Sequence, residues 1–295
     1  MLKPINVYVG HNPDLSQGIH RVSRALRAFT PNWVQIVDQE DWADLRIGHV
    51  VGIQDMEEWC SRGPYALIQY CVQTGGGTAE EWRKIWMGAK TTWSYYDLAH
   101  WLSHTLPPSY SESLCPNFYY APLGVDPVFK PSFPLRKRYM IGTSGYVDET
   151  ECIGECYRAA TRVERSMLHL GPHLNFGPSV TCIRGVPDKM LADFWSQCSY
   201  VAGLRRIEGF ELPVIEGLMC GARPVVFDAP HYRKWFDGFA EFIPEGTPQE
   251  VEDALFTLFS RPVRPITQAE REAARTQFHW PTLCAGFWEA IRCSL

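Results

Sequence analysis

An α/β protein of two domains, each a mostly parallel sheet covered by helices, is what this 295-residue sequence predicts. Three observations predict it. Short apolar runs of strand length alternate with segments whose apolar residues recur at helical spacing, an order that lays parallel strands side by side with helices over both faces. The alternation halts at a proline-rich stretch and then restarts. The stretch Arg205–Asp228, RRIEGFELPVIEGLMCGARPVVFD, reads strand–loop–helix–strand, with one acid on its loop, Glu208, and another on its helix, Glu216.

The elements follow in order. Ile5–Val9 is a short apolar strand, and the turn formers of His11–Gly18 make a loop after it. Ile19, Val22, Ala25, Leu26 and Phe29 repeat at helical spacing, with Arg21, Arg24 and Arg27 elsewhere on the same helix. Val34–Val37, Leu45–Val50, Tyr65–Cys71, Thr91–Ser94 and Phe118–Ala121 are the next strands, with helices around Met56–Cys60, Thr78–Met87 and Tyr96–Leu106. Asp126–Arg138, holding Pro127, Pro131 and Pro134 and the basic run Arg136–Arg138, is a stiff connector. Strand Tyr139–Gly142, helix Glu151–Leu168, strand Val180–Arg184, helix Lys189–Gln197 and strand Tyr200–Leu204 come next. After Arg223–Phe227, helices are expected near Tyr232–Phe236 and over Pro248–Phe259, Gln268–Phe278 and Thr282–Cys293. The boundaries implied are an N-terminal domain over 1–130, a C-terminal domain over 131–278, and a terminal helix over 279–295 packing back towards the first. Ligand is expected where the carboxyl ends of the strands face a cleft.

Composition narrows the function. A net charge of −5 argues against broad nucleic-acid binding, and 45% hydrophobic with 21% charged residues is globular. No signal-peptide pattern and no bilayer-length apolar run is found, so a cytoplasmic protein is expected. The ten cysteines are scattered; only Cys152 and Cys156 are close, and i,i+4 is not a zinc-knuckle spacing. His100 and His104 share that spacing without the glutamate a zincin needs. Trp82, Trp86, Trp93, Tyr95, Tyr96 and Trp101 suit a core, with a stacking platform for an acceptor as the alternative. Gly75–Gly77 makes a flexible loop without a Walker lysine.

Glu208-Gly209-Phe210-Glu211-Leu212-Pro213-Val214-Ile215-Glu216 is similar to the E-x7-E signature of retaining glycosyltransferases of the GT-B architecture, family-4 type. Gly18-Ile19-His20-Arg21, Pro122-Leu123-Gly124-Val125-Asp126 and Phe278-His279-Trp280 resemble other family segments in the same order. The resemblance implies two Rossmann-like domains whose parallel sheets face a central cleft, and a nucleotide-diphosphate sugar as co-substrate with no other cofactor. It implies that Glu208 contacts the donor sugar near its 3-hydroxyl and that Glu216 binds the nucleotide ribose. Backbone N–H groups at Gly209, Phe210 and Glu211 would face sugar and phosphate, as a helix N-terminus favours, and Leu212 belongs to the same site. Gly18 belongs to the same site, and His20 would reach phosphate or acceptor; a surface histidine is the alternative. Glu211 stands where the family has glycine, so it either shapes the sugar pocket or is simply exposed.

The family's diphosphate-binding arginine and lysine are absent. Thr143-Ser144-Gly145-Tyr146 and Asp148-Glu149-Thr150-Glu151 stand in their place. Arg205 and Arg206 are the nearest replacement cations, with Arg184 further off and the hydroxyls of Thr143 and Ser144 as additional donors. No Asp-x-Asp motif occurs, which favours a metal-independent site. The acceptor is a glycan, lipid, small molecule or, as in virus-encoded members, a modified DNA base, in which case the protein works in a host cytoplasm. Arg21, Arg24, Arg27 and Arg136–Arg138 are the residues that would meet a DNA backbone. A non-catalytic nucleotide-sugar-binding module and a sugar-nucleotide epimerase are the rival functions.

Overall fold

The computed structural model describes residues 3–10, 17–53, 56–70, 77–98, 117–132, 139–146, 150–173, 175–206 and 210–295. The chain divides into two compact units. Unit 1 holds the residues up to Leu123 together with His279–Leu295, and unit 2 holds Gly124–Arg206 and Phe210–Phe278.

Unit 1 is built on strands β1 (Ile5–Val9), β2 (Val34–Val37), β3 (Leu45–Val50), β4 (Tyr65–Gln69), β5 (Thr92–Ser94) and β6 (Phe118–Tyr120), with helices α1 (Gln17–Ala28), α2 (Met56–Ser61) and α3 (Ala79–Gly88). The strands run parallel in the order β2-β1-β3-β4-β5-β6. The direction of winding reverses between β1 and β3, which makes that edge the topological switch point. α3 starts on a capping box: Thr78 accepts from the Glu81 N–H while Glu81 accepts from the Thr78 N–H. Its tryptophans are core. Trp82, Trp86 and Trp93 are all at most 1% exposed. Their indoles are satisfied inside: Trp86 donates to Gln69 Oε1 at 3.3 Å and Trp93 to the Ala121 carbonyl at 3.0 Å. The terminal helix Trp280–Arg292 supplies Phe287, 5.3 Å from Trp93 between ring centroids. An acceptor platform is therefore not what these rings form; Trp101 lies outside the described residues.

Unit 2 repeats the plan with β7 (Met140–Ser144), β8 (Met167–Leu170), β9 (Val180–Ile183), β10 (Cys198–Gly203), β11 (Arg223–Phe227) and β12 (Glu241–Ile243). Its helices are α4 (Ile153–Arg162), α5 (Asp188–Trp195), α6 (Leu212–Cys220), α7 (Pro230–Phe236), α8 (Pro248–Phe259) and α9 (Gln268–Gln277). The parallel order is β12-β11-β10-β7-β8-β9, so the switch point lies between β7 and β10. α6 is buried on nearly every side. Pro213 sits in its first turn, where a missing N–H costs nothing, and Val214, Ile215, Leu218 and Met219 are fully enclosed. Each such side chain is worth about 1.5–3 kcal/mol of burial.

Two elements correct the sequence expectations. The helix expected over Glu151–Leu168 ends at Arg162: Glu164 takes a left-handed φ of 55°, and Met167–Leu170 is strand β8, paired with β7 and β9. An isolated four-residue apolar run carries no period to separate strand from helix. β12 is a further strand that the sequence did not announce. The helix expected at Tyr96–Leu106 falls almost wholly outside the described residues, as do His100, His104 and Arg136–Arg138.

Candidate functional site

At the carboxyl ends of β7 and β10, the unit 2 switch point, the chain gathers polar groups that a sheet end does not need for packing. Arg205 leaves β10 two residues after its end, and its side chain is 15% exposed. Nε lies 3.2 Å from Glu151 Oε1 and 3.5 Å from Glu211 Oε1, and a second nitrogen donates to the Ser144 carbonyl at 3.3 Å. Tyr232 holds the other side, donating to the Arg205 carbonyl at 3.2 Å, with its hydroxyl 3.5 Å from Glu211 Oε1.

Two glycines make room. A Cβ on Gly203 would stand 2.6 Å from Glu211 Cγ and from Val214, so only glycine lets the start of α6 approach β10 and lodge Glu211 against it. Gly145 has φ +118°, and a Cβ there would collide with the Glu151 carboxylate and lie 2.6 Å from the Arg205 guanidinium. The Glu151 carboxylate thus fills the space a side chain at 145 would take.

Below this cluster Thr143 Oγ1 and His169 Nδ1 are 3.0 Å apart, both residues buried. Burial pushes the His169 pKa down to about 4; the Arg205 charge acts the same way and the Gly145 backbone opposes it, so the ring is neutral at pH 7. Ser144 Oγ and His169 Nε2 are buried with no hydrogen-bond partner among the described residues. Thr143, Ser144, Glu151, Cys152, Leu204 and Arg205 line a narrow cavity of about 10 Å³, the room of about one water molecule and too small for a phosphate as the side chains stand. Burial raises the Cys152 pKa to about 11, which rules out a thiolate there at neutral pH.

The other expected residues distribute as follows. Glu216 is on α6, 1% exposed, and accepts from the Trp195 indole at 3.2 Å. Phe210 and Leu212 are buried beside the start of α6, Phe210 stacking on Phe236 at 5.5 Å. Glu211 is 1% exposed, so the exposed alternative fails. Arg206 turns away from Arg205: it pairs with Glu245 at 3.0 Å and donates to the Gly246 carbonyl at 2.7 Å. Arg184 is exposed beyond the end of β9. Glu208 and Gly209 lie outside the described residues. In unit 1, Gly18 and the exposed His20 are on the first turn of α1.

Unit 1 has its own polar cluster at its switch point, which the sequence did not signal. Ser23 Oγ is 2.7 Å from His49 Nε2, and His49 Nδ1 is 2.8 Å from the Tyr70 hydroxyl. Ser23 also donates to the Gly10 carbonyl at 3.0 Å, where the chain leaves β1. The basic stripe expected on α1 is partly consumed: Arg21 is 8% exposed, and Arg27 pairs with Asp38 at 3.2 Å. Among the described residues no group of His, Cys, Asp and Glu is placed to hold a metal, and no helix is long and apolar enough to cross a membrane.

No protein-family profile matches the sequence, and no curated protein matches it. Solved structures do match in shape. A sucrose-phosphate synthase from Thermosynechococcus elongatus aligns over 99% of this chain and 99% of its own, with 12% identity and a TM-score of 0.72. The Anabaena protein HepE, in complex with UDP and glucose, aligns over 98% and 99%, with 10% identity and a TM-score of 0.70. AviGT4, a glycosyltransferase of avilamycin A biosynthesis, aligns over 98% and 97%, with 13% identity and a TM-score of 0.62. These are GT-B glycosyltransferases, and the chain has their fold: two parallel six-stranded sheets with helices.

Proposed function

We propose that the protein is a retaining, metal-independent glycosyltransferase of the family-4 type, using a nucleoside-diphosphate sugar, with unit 2 holding the donor and unit 1 serving the acceptor. The carrying observation is Arg205, fixed at the carboxyl end of β10 beside the start of α6, at the switch point of a GT-B fold. A guanidinium there matches the diphosphate in charge and geometry, and the helix N-terminus adds backbone donors of the same sign. Glu216, oriented by Trp195, accepts the ribose hydroxyls, and Glu208 the 3-hydroxyl of the sugar. The bound UDP of the HepE complex supports a nucleoside diphosphate as the common part of the donor.

The chemistry asks little of the protein beyond placement and charge. The bond from the anomeric carbon to the phosphate oxygen breaks, the acceptor oxygen bonds to that carbon on the same face, and the acceptor proton passes to the leaving phosphate. Negative charge grows on the diphosphate as the bond breaks, and Arg205 and the backbone N–H groups stabilise it without a metal. His169 stays neutral and aligned by Thr143, leaving Arg205 as the cation that this cluster presents.

Calorimetric titration with UDP and GDP, followed by transfer assays with the corresponding sugars, tests the proposal. Glu216→Gln and Glu208→Gln should each abolish transfer while leaving the unfolding transition in place; full activity in both sinks the assignment. The cluster of two carboxylates on one arginine gives a specific reason to weigh a binding module without turnover. That alternative predicts nucleotide binding with neither hydrolysis nor transfer.

A further inference from the structure

Arg205 already has an anion. Its guanidinium faces two carboxylates, Glu151 at 3.2 Å and Glu211 at 3.5 Å, so the group carries one positive charge against two negative ones. A diphosphate approaching such a group is repelled unless one carboxylate leaves. The two differ in how easily they can. The Glu211 side chain is fully enclosed between Gly203 and Tyr232, and moving it would open the contact between α6 and β10. Glu151 lines the cavity itself, over Gly145, the position where no side chain competes for the space.

The Glu151 backbone is anchored. It forms an isolated antiparallel bridge with Arg205, with the Cys152 N–H donating to the Leu204 carbonyl at 3.2 Å and the Arg206 N–H to the Thr150 carbonyl at 3.0 Å. Release of Arg205 can leave this backbone bridge in place, with the Glu151 side chain and its immediate packing moving instead, at a cost set by rotamer and ion-pair energies.

We infer that Glu151 is a resident stand-in for the donor phosphate, exchanged for it on Arg205 when the nucleotide binds, and that it thereby sets the affinity for the donor. This rests on unit 2 being the nucleotide-sugar side. The exchange keeps Arg205 neutralised and aimed while the site is empty. It also makes binding selective, because only an anion that competes with a carboxylate 3.2 Å away is accepted. Once Glu151 has turned away, Arg205 retains Glu211 on one side and meets phosphate on the other.

The test is calorimetric titration of UDP and GDP into the wild-type protein, Glu151→Gln, Arg205→Lys and the double variant. Glu151→Gln should bind about tenfold tighter, the equivalent of ~1.4 kcal/mol. Arg205→Lys should bind more weakly than wild type, and in its presence the gain from Glu151→Gln should shrink, since the two act through one contact. Weaker binding in Arg205→Lys with no gain in Glu151→Gln overturns the exchange and leaves the nucleotide assignment standing. A gain in Glu151→Gln with Arg205→Lys unchanged also overturns it, because Arg205 is then not the seat. Absence of UDP and GDP binding in all four proteins overturns the nucleotide assignment itself. Should Glu151→Gln fold poorly by circular dichroism, a wild-type crystal soaked with UDP decides: Arg205 released from Glu151 supports the exchange, and UDP bound with that pair intact overturns it.

Discussion

Two arginines in the sheet of unit 2 are placed at opposite ends and treated in opposite ways. Arg223 opens β11 at the amino end and is completely buried. Its nitrogens are divided among the carbonyls of Arg264, Phe239 and Pro265, at 2.6–3.1 Å, and one carboxylate, Glu270, at 2.8 Å. Arg205, at the carboxyl end, has two carboxylates and one carbonyl, a cavity beside it and buried polar atoms around it. A buried charge whose donors all end on carbonyls and on a carboxylate shared with Arg264 is a finished staple. One positive charge set against two carboxylates is over-neutralised, a group arranged for exchange. Burial alone does not tell these apart; the chemistry of the partners does.

The largest effect expected from breaking this comparison is at the staple. Arg223→Ala strands three carbonyls in the interior, while Glu270 keeps Arg264 at 3.0 Å and the Thr267 N–H, and should cost about 2–4 kcal/mol. Urea unfolding monitored by circular dichroism measures it. A loss below about 1 kcal/mol would mean that Arg223 is not the staple its partners suggest.

Acid separates the two ends next. Burial would raise the Glu270 pKa, but the bonds from Arg223 and from Thr267 outweigh it and lower it to about 2. A carboxylate depressed on folding contributes stability that is present above its ordinary value of 4.5 and is lost as pH falls towards about 2. His169, depressed by burial from 6.5 to about 4, contributes stability that is full above 6.5 and is lost as pH falls towards about 4. Each unit of displacement corresponds to ~1.4 kcal/mol. Melting temperature against pH should therefore fall in two successive windows. His169→Gln should shrink the upper one, to which His231, also held down by burial, contributes, and Glu270→Gln the lower one. A single window, or both windows responding to one variant, would show that the two ends do not titrate separately.

Most of the framework that carries both arginines was legible in the sequence. The strand–helix alternation gave the parallel sheets, and the Glu208–Glu216 stretch pointed to the β10–α6 connection. Boundaries failed where the signal was short: β8 had four residues, and Glu164 ended α4 without a glycine or proline to announce it. The identity of the arginines' partners was illegible for a physical reason. Three of the four acceptors on Arg223 are backbone carbonyls, which every residue type carries. Glu151 could be seen as an acid in an awkward place, yet its pairing with Arg205 depends on the bridge that joins two distant segments and on the absent side chain at Gly145.

A smaller effect should come from the cap that aims Glu270. Thr267 begins α9 with a capping box: its side chain accepts from the Glu270 N–H, and its own N–H donates to Glu270 Oε2 at 2.7 Å, while Oε1 of the same carboxylate takes Arg223. Thr267→Ala should cost about 1 kcal/mol, the ordinary value of a lost cap, since the backbone N–H still holds Glu270. A loss as large as that of Arg223→Ala would mean that the cap and the staple act as one unit.

The smallest change in stability should come from Arg205→Lys. The ammonium keeps the charge facing Glu151 and Glu211 and gives up mainly the fork that reaches the Ser144 carbonyl at 3.3 Å. Urea unfolding should shift by less than the ~1 kcal/mol expected of Thr267→Ala, since the charge facing both buried carboxylates is kept. Yet the same variant should bind UDP more weakly, because a point charge cannot grip two phosphate oxygens in the plane as a guanidinium does. The matching change at the other end, Arg223→Lys, should reverse the pattern. A lysine has three donors on one atom and cannot serve three carbonyls and a carboxylate spread around Arg223, so stability should fall while UDP binding by the folded protein persists. Equal stability losses in the two lysine variants would remove the distinction between a staple and an exchange site, and with it the reason to regard the carboxyl end of β10 as the place where ligand chemistry happens.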